Sequence, residues 1–160
     1  MITFEMLYDA MELALVSTDD ALLRTQLLRG LGSATDPALA ERARALALDT
    51  RIRLNEAATP LFAQVEQPET RDAAFGYVEQ HWDELIARLG TGRSAHLIRL
   101  GASFCSEEGA ARVEAFFRPR ASALSGGPRE LSATLETVRL CAARVEHQRA
   151  DATRFFASGR

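Results

Sequence analysis

No HExxH motif occurs in this 160-residue chain. Two histidines one helical turn apart, with a downstream glutamate, are how a helix presents ligands to zinc. The three histidines here, His81, His96 and His147, fall on different expected helices, so no metal or other cofactor is expected in the chain itself. A basic excess is also missing. The net charge is −3, which argues against general polyanion binding and leaves nucleic acid out as a partner. No apolar run approaches the roughly 18 residues that cross a bilayer, so no membrane partner is expected either. The N-terminus, "MITFEMLYDAMELALVSTDD", carries acids and lacks the basic start of a signal peptide. Isoleucine and valine are sparse and no useful period-2 alternation occurs, which disfavours strands. Only two cysteines are present, Cys105 and Cys141, in separate helical regions and without CxxC spacing. Two buried reduced thiols are expected rather than a disulfide.

What the chain has is helix. Alanine, leucine and arginine dominate, and 47% of residues are apolar, enough for a core of one domain or one section of a helical array. The spacing predicts helices over about 3–16, 20–31, 37–48, 55–66, 70–89, 94–104, 106–117 and 128–156. Phe4, Leu7, Met11 and Leu15 form a stripe on the first. Leu22, Leu23, Leu27, Leu28 and Leu31 are the apolar positions of the second. Asp36-Pro37 is a restart, with aspartate accepting free N–H groups and proline in the first turn. Ala74, Tyr77, Val78, Trp82, Leu85 and Leu89 share a face until Gly90 stops the fifth. "GTGRS" (90–94) is read as a loop, and "RPRASALSGG" as the longest irregular segment. The last helix repeats Leu131, Leu135, Val138, Ala142, Val145 and Ala152 at alternating three and four residues, over roughly 40 Å. Antiparallel helix pairs with short loops give an all-α, HEAT- or armadillo-like superhelical array, with a compact bundle as the structural alternative.

Several residues invite chemistry, and each has a plainer reading. His81 beside Trp82 and Asp83 flanks a core anchor rather than acting as a catalyst. Asp83 and Glu84 are adjacent, point apart on a helix and make no acid/base pair. Cys105 before Ser106 has no histidine to activate it. "GTGRS" lacks the full phosphate-loop pattern and a preceding strand. No catalytic residue is expected. The arginines at 42, 44, 51 and 53 belong mostly on solvated faces or in ion pairs.

Five segments, in order, carry a resemblance. They are "LLRGLGSATDPALAERARALALD" (27–49), "IRLNEAATPLFAQV" (52–65), "RDAAFGYVEQHWDELIARLG" (71–90), "FCSEEGAARVEAFF" (104–117) and "LETVRLCAARVEHQRADATRFF" (135–156). Together they resemble the C-terminal helical domain of the M1-type zinc aminopeptidases related to puromycin-sensitive aminopeptidase and aminopeptidase N. The family's catalytic HExxH and its GxMEN-type substrate strand are absent from the chain. The resemblance implies a single C-terminal-type domain over 1–160, part of a longer peptidase whose zinc lies elsewhere. It implies a non-catalytic role: enclosing the active-site cavity, packing on the catalytic domain and contributing to peptide access. Arg51, Arg53 and Asn55, in the segment where a basic residue precedes an amide and an acid, become the substrate-binding candidates. An arginine there would take a peptide's C-terminal carboxylate through paired hydrogen bonds. The alternative is a free-standing helical-repeat scaffold that binds a protein partner on its concave face. A domain cut from an array would also leave Phe4, Leu7, Tyr8 and Met11 uncovered and prone to self-association. The compartment stays open, with a cytoplasmic parent favoured over a periplasmic one.

Overall fold

A computed structural model of the chain describes residues 1–158, and these are helical with no strand among them. The order is α1 (Phe4–Ser17), α2 (Ala21–Gly32), α3 (Pro37–Ala45), α4 (Thr59–Glu66), α5 (Pro68–Gln80), α6 (Trp82–Ser94), a 3₁₀ helix (Ala95–Ser103), α7 (Glu107–Ala121) and α8 (Gly127–Ala157). The all-α class read from the sequence is the one observed. The chain forms two compact units, one from Met1 to Gly90 and one beginning at Thr91.

Local chemistry sets the helix starts. Thr3 accepts from the Met6 N–H, Asp20 from Leu22 and Leu23, Asp36 from Ala38 and Leu39, and Ser106 from Gly109. Each supplies an acceptor to first-turn donors that have no partner in their own helix. Pro37, Pro60, Pro68 and Pro128 all sit in first turns, where a missing N–H costs nothing.

In the first unit α1 to α5 pack each on the next, and α2 also lies on α4. At that crossing Gly32 is required by closeness. A Cβ there would stand 2.9 Å from the Pro60 Cα and carbonyl oxygen. Leu15, Leu28, Leu31, Leu61, Phe75, Val78 and Leu85 form the core, and Trp82 is buried as expected.

The apolar reading of α2 needs one correction. Leu22 and Leu23 are exposed, while Arg24 is buried with Glu56 as its partner. A charge that finds a counter-charge and carbonyl acceptors can displace a leucine from the interior. Buried Gln64 works similarly: its amide donates to the Ala40 carbonyl at 2.6 Å and accepts from Arg44 at 2.9 Å, tying α3 to α4.

The expected single helix over 70–89 is two helices. His81 leaves helical geometry, ends α5, and pairs its Nδ1 with Glu84 at 2.8 Å. No proline or glycine marks that break, so apolar periodicity reads straight through it. "GTGRS" is not a loop. Gly90, at φ 73°, ends the helical run from Trp82 as expected, and Thr91–Ser94 form a separate helical turn after the kink. A single left-handed residue suffices to redirect the chain, and glycine adopts it without Cβ strain.

In the second unit the 3₁₀ helix replaces an expected α-helix, and it packs with α7 and α8 around Leu97, Ile98, Val113, Phe117, Leu135 and Val138. "RPRASALSGG" is only partly irregular, because α7 runs on to Ala121 with Pro119 inside it. Pro119 falls in the last turn, where little helix remains to be disrupted. The Arg120 guanidinium there donates to the Phe116 carbonyl at 2.7 Å.

The cysteines also depart from expectation. Cys105 and Cys141 are disulfide-bonded, with Cα atoms 5.1 Å apart. They belong to different elements, far apart in sequence, which the packing of α8 beside the start of α7 brings within bonding reach. The last helix reaches about 46 Å at 1.5 Å per residue. The stripe expected along it is buried at Leu131, Leu135 and Val138 and exposed at Val145.

Candidate functional site

The connection between α3 and α4, residues 46–58, holds all three substrate-binding candidates. It begins as successive i to i+3 turns, with Ala47, Leu48 and Asp49 N–H groups donating to Arg44, Ala45 and Leu46 carbonyls. Leu46, Ala47, Ile52 and Ala57 point into the core and fix its path. Arg88 of α6 donates to the Asp49 and Ile52 carbonyls at 2.6 and 2.7 Å, closing backbone acceptors the turns leave open.

Arg51 and Arg53 leave this scaffold in different states. Arg51 is clamped. Its Nε stands 3.1 and 3.0 Å from the two carboxylate oxygens of Asp49, its Nη2 2.5 Å from one, and its backbone N–H donates to Asp49 as well. That fork-on-fork geometry is the strongest arrangement open to an arginine–carboxylate pair. The hydrogen bonds from Arg51 hold the Asp49 carboxyl below its ordinary value, against the opposing effect of partial burial. Arg53 donates once, at 2.8 Å, to Asp19, whose side chain is fully exposed. A second guanidinium nitrogen lies 3.8 Å from Glu56. Asn55 is exposed beside it. The connection therefore brings the three candidates onto one short segment, with Arg51 committed to a neighbour and Arg53 held by one hydrogen bond to exposed Asp19 and a longer ion pair to Glu56.

Beneath Arg53 lies the pair the sequence reading did not anticipate. Glu56, the acid of the basic–amide–acid segment, faces inward to Arg24, with contacts of 3.1, 3.0 and 2.8 Å. The remaining guanidinium nitrogen of Arg24 donates to the Leu15 and Thr18 carbonyls at 2.5 and 3.2 Å. The acid of that segment is thus a structural counter-charge that pins the connection to α1 and α2. A hint was present in Arg24 itself, one residue from the leucines of an apolar face.

Further along α1, Asp9 and Glu12 lie three residues apart on one helix face. Both accept from Arg42, at 2.7 and 2.5 Å, and Glu12 is also 3.8 Å from Arg51. The Arg42 guanidinium sits 4.6 Å from the centre of the Tyr8 ring. Burial first, and then the negative charge of Glu12, push the Tyr8 hydroxyl up to about 12. Arg42 also edges an open groove of about 780 Å³ lined by Thr3, Phe4, Ser33, Asp36 and Leu39. Since Arg42 already holds two carboxylates, that groove presents no free cation from it. Among the described residues no group of three His, Cys, Asp or Glu is placed to hold a metal ion.

Residues 5–140 match the family described as ERAP1-like C-terminal domain. Aminopeptidase 2, mitochondrial, of Saccharomyces cerevisiae (strain ATCC 204508 / S288c) is 28% identical over 126 residues. That alignment takes in 77% of this chain and 13% of the yeast protein, so the chain spans about an eighth of the curated relative it matches. With most of its length inside the match, the chain belongs to the family of ERAP1-like C-terminal domains, the helical C-terminal region of M1-type aminopeptidases.

Proposed function

We propose that this chain is the non-catalytic C-terminal domain of a zinc aminopeptidase. In this reading it packs on the catalytic domain, encloses the active-site cavity and limits which peptides reach it. The supporting observation is the family match over residues 5–140, joined to a relative whose name is aminopeptidase. The described residues bring no three His, Cys, Asp or Glu together, and this reading assigns the zinc to the catalytic domain. What this chain contributes is shape and charge.

Within that role Arg53 is the substrate contact and Arg51 its structural neighbour. An incoming C-terminal carboxylate need break only the single hydrogen bond from Arg53 to exposed Asp19. Displacing Asp49 from Arg51 breaks a forked pair and a backbone hydrogen bond together. In the full-length enzyme, Arg53→Ala should raise KM for longer peptides and leave a single-residue anilide nearly unchanged. The expected loss is about 1–3 kcal/mol for a charge-assisted hydrogen bond. Equal effects on both substrates, or none on either, would return Arg53 to a structural role.

A further inference from the structure

The long helix α8 is anchored at one end. Leu131, Thr134, Leu135 and Val138 are buried, and Arg139 pairs with Glu114 at 2.8 Å. From Ala143 to Ser158 every residue is exposed. The ion pairs of this stretch, Arg149–Glu146, His147–Asp151 and Arg154–Asp151, join residues of α8 to each other. The final covalent link between the helix and the rest of its unit is Cys141, bonded to Cys105 just ahead of α7.

That bond is not sealed in the core. Both cysteines are partly exposed. Cys105 lines an open groove of about 420 Å³ together with Ser106, Glu107, Ala142, Glu146 and Arg149. A small dithiol fits such a space. The family match ends at residue 140, one residue before Cys141, so neither the clamp nor the arm beyond it lies wholly within the shared domain.

We propose that Cys105–Cys141 is a reducible clamp that sets how firmly the distal half of α8 holds its helix. A thiolate of a dithiol reductant attacks one sulfur through the groove and expels the other cysteine as a thiolate, leaving a mixed disulfide. The reductant's second thiolate then displaces the remaining protein sulfur. The reductant leaves as its own disulfide, and the protein gains two electrons and two protons as two thiols. Opening the bond moves the last anchor back from Cys141 to Val138 and Arg139, almost one turn. The unpacked helical stretch beyond, Ala143–Ala157, has no packed face and is only at the length where isolated helices are marginal in water, since most helical stability comes from packing. Loss of helix in this unpacked stretch therefore reaches back to the new anchor.

Limited trypsin digestion of the 160-residue chain, oxidised and after dithiothreitol, tests this by mass spectrometry of the first cuts. Cleavage after Arg144, next to the clamp, should accelerate about fivefold or more on reduction. Cleavage after Arg154, more than three turns beyond the clamp, should be fast in both forms. The C105S/C141S variant should cut after Arg144 at the reduced rate with or without dithiothreitol. If that variant fails to fold, judged by loss of helical far-ultraviolet circular dichroism, the native chain in its two redox forms decides alone. Equal Arg144 rates in those two forms would overturn the proposal. So would alkylation of both cysteines without reductant.

Discussion

Replacing Glu56 with glutamine tests the central electrostatic feature of the first unit. Arg24 is 3% exposed and Glu56 6% exposed, so solvent screens neither. Glutamine keeps the shape and one acceptor oxygen. It also removes the counter-charge and turns an NH₂ group towards the guanidinium. Breaking a buried pair by removing one partner typically costs about 3–5 kcal/mol, because the other charge stays desolvated. A domain's whole stability is about 5–15 kcal/mol, so the loss would be plain in a urea titration. Trp82 is the sole tryptophan and lies in the same unit, so its emission follows this unit without assuming that both units unfold together. Glu56→Gln should lower stability by about 3–5 kcal/mol at unchanged slope. The double variant Arg24→Met/Glu56→Leu should recover most of that, since replacing both charges removes the stranded one. A loss below about 1 kcal/mol, or a double variant worse than the sum of its singles, would refute the assignment of Glu56 as an obligatory counter-charge.

Three further outcomes follow from named contacts. Trp82→Ala should cost about 3–5 kcal/mol in chemical denaturation, as a large core side chain whose face is shared with buried Val78, Leu85 and Leu89; less than about 1 kcal/mol would contradict that placement. Asp49 titrates below its ordinary value of 3.8 because Arg51 bonds its ionised form. Its stabilising contribution is present above that ordinary value and is lost as pH falls through the lower folded value. Urea midpoints from about pH 7 to about pH 3 should therefore fall less steeply at the acid end for Asp49→Asn than for the native chain. Parallel curves would remove Asp49 from the acid response. On α1, Phe4, Leu7 and Leu13 are exposed, although Tyr8, expected beside them, is buried. Sedimentation should show concentration-dependent mass for the 160-residue chain and its loss in Leu7→Glu. A strictly monomeric native species would count against a sticky α1 face.

Helix positions were legible because their signals are local. Asp20, Asp36 and Ser106 cap as their chemistry demands, and each proline in a first turn marks a start. The misreadings share a cause, which is tertiary context without a local signature. His81 breaks a helix inside an unbroken apolar pattern, and its bond to Glu84 is visible only once the turn exists. Residues 95–103 carry a helical pattern that is also compatible with the tighter 3₁₀ winding. Cys105 and Cys141 are distant in sequence, and nothing in their spacing shows that α8 lies alongside the start of α7. Arg24 carries no local sign of its partner, which lies 32 residues away.

The candidate site was legible to the segment and no further, and the reason is charge pairing. From the sequence, Arg51 and Arg53 are equivalent: two arginines flanking an isoleucine, ahead of an amide and an acid. Their difference lies in which carboxylate each meets. Asp49 is two residues before Arg51 on a tight turn, so its carboxylate meets the guanidinium through a short path that any fluctuation preserves. Asp19 comes from the turn between α1 and α2 and is fully exposed, so its hold on Arg53 is that of a surface ion pair, worth about 0–1 kcal/mol. The buried Arg24–Glu56 pair sits directly under this exposed contact and fixes the backbone from which Arg53 extends. That division predicts different failures. Changing Glu56 should destabilise the whole unit, and changing Arg51 should loosen the connection locally. Changing Arg53 should leave the fold intact, so any effect it has on the full-length enzyme must come from what its guanidinium touches in place of Asp19.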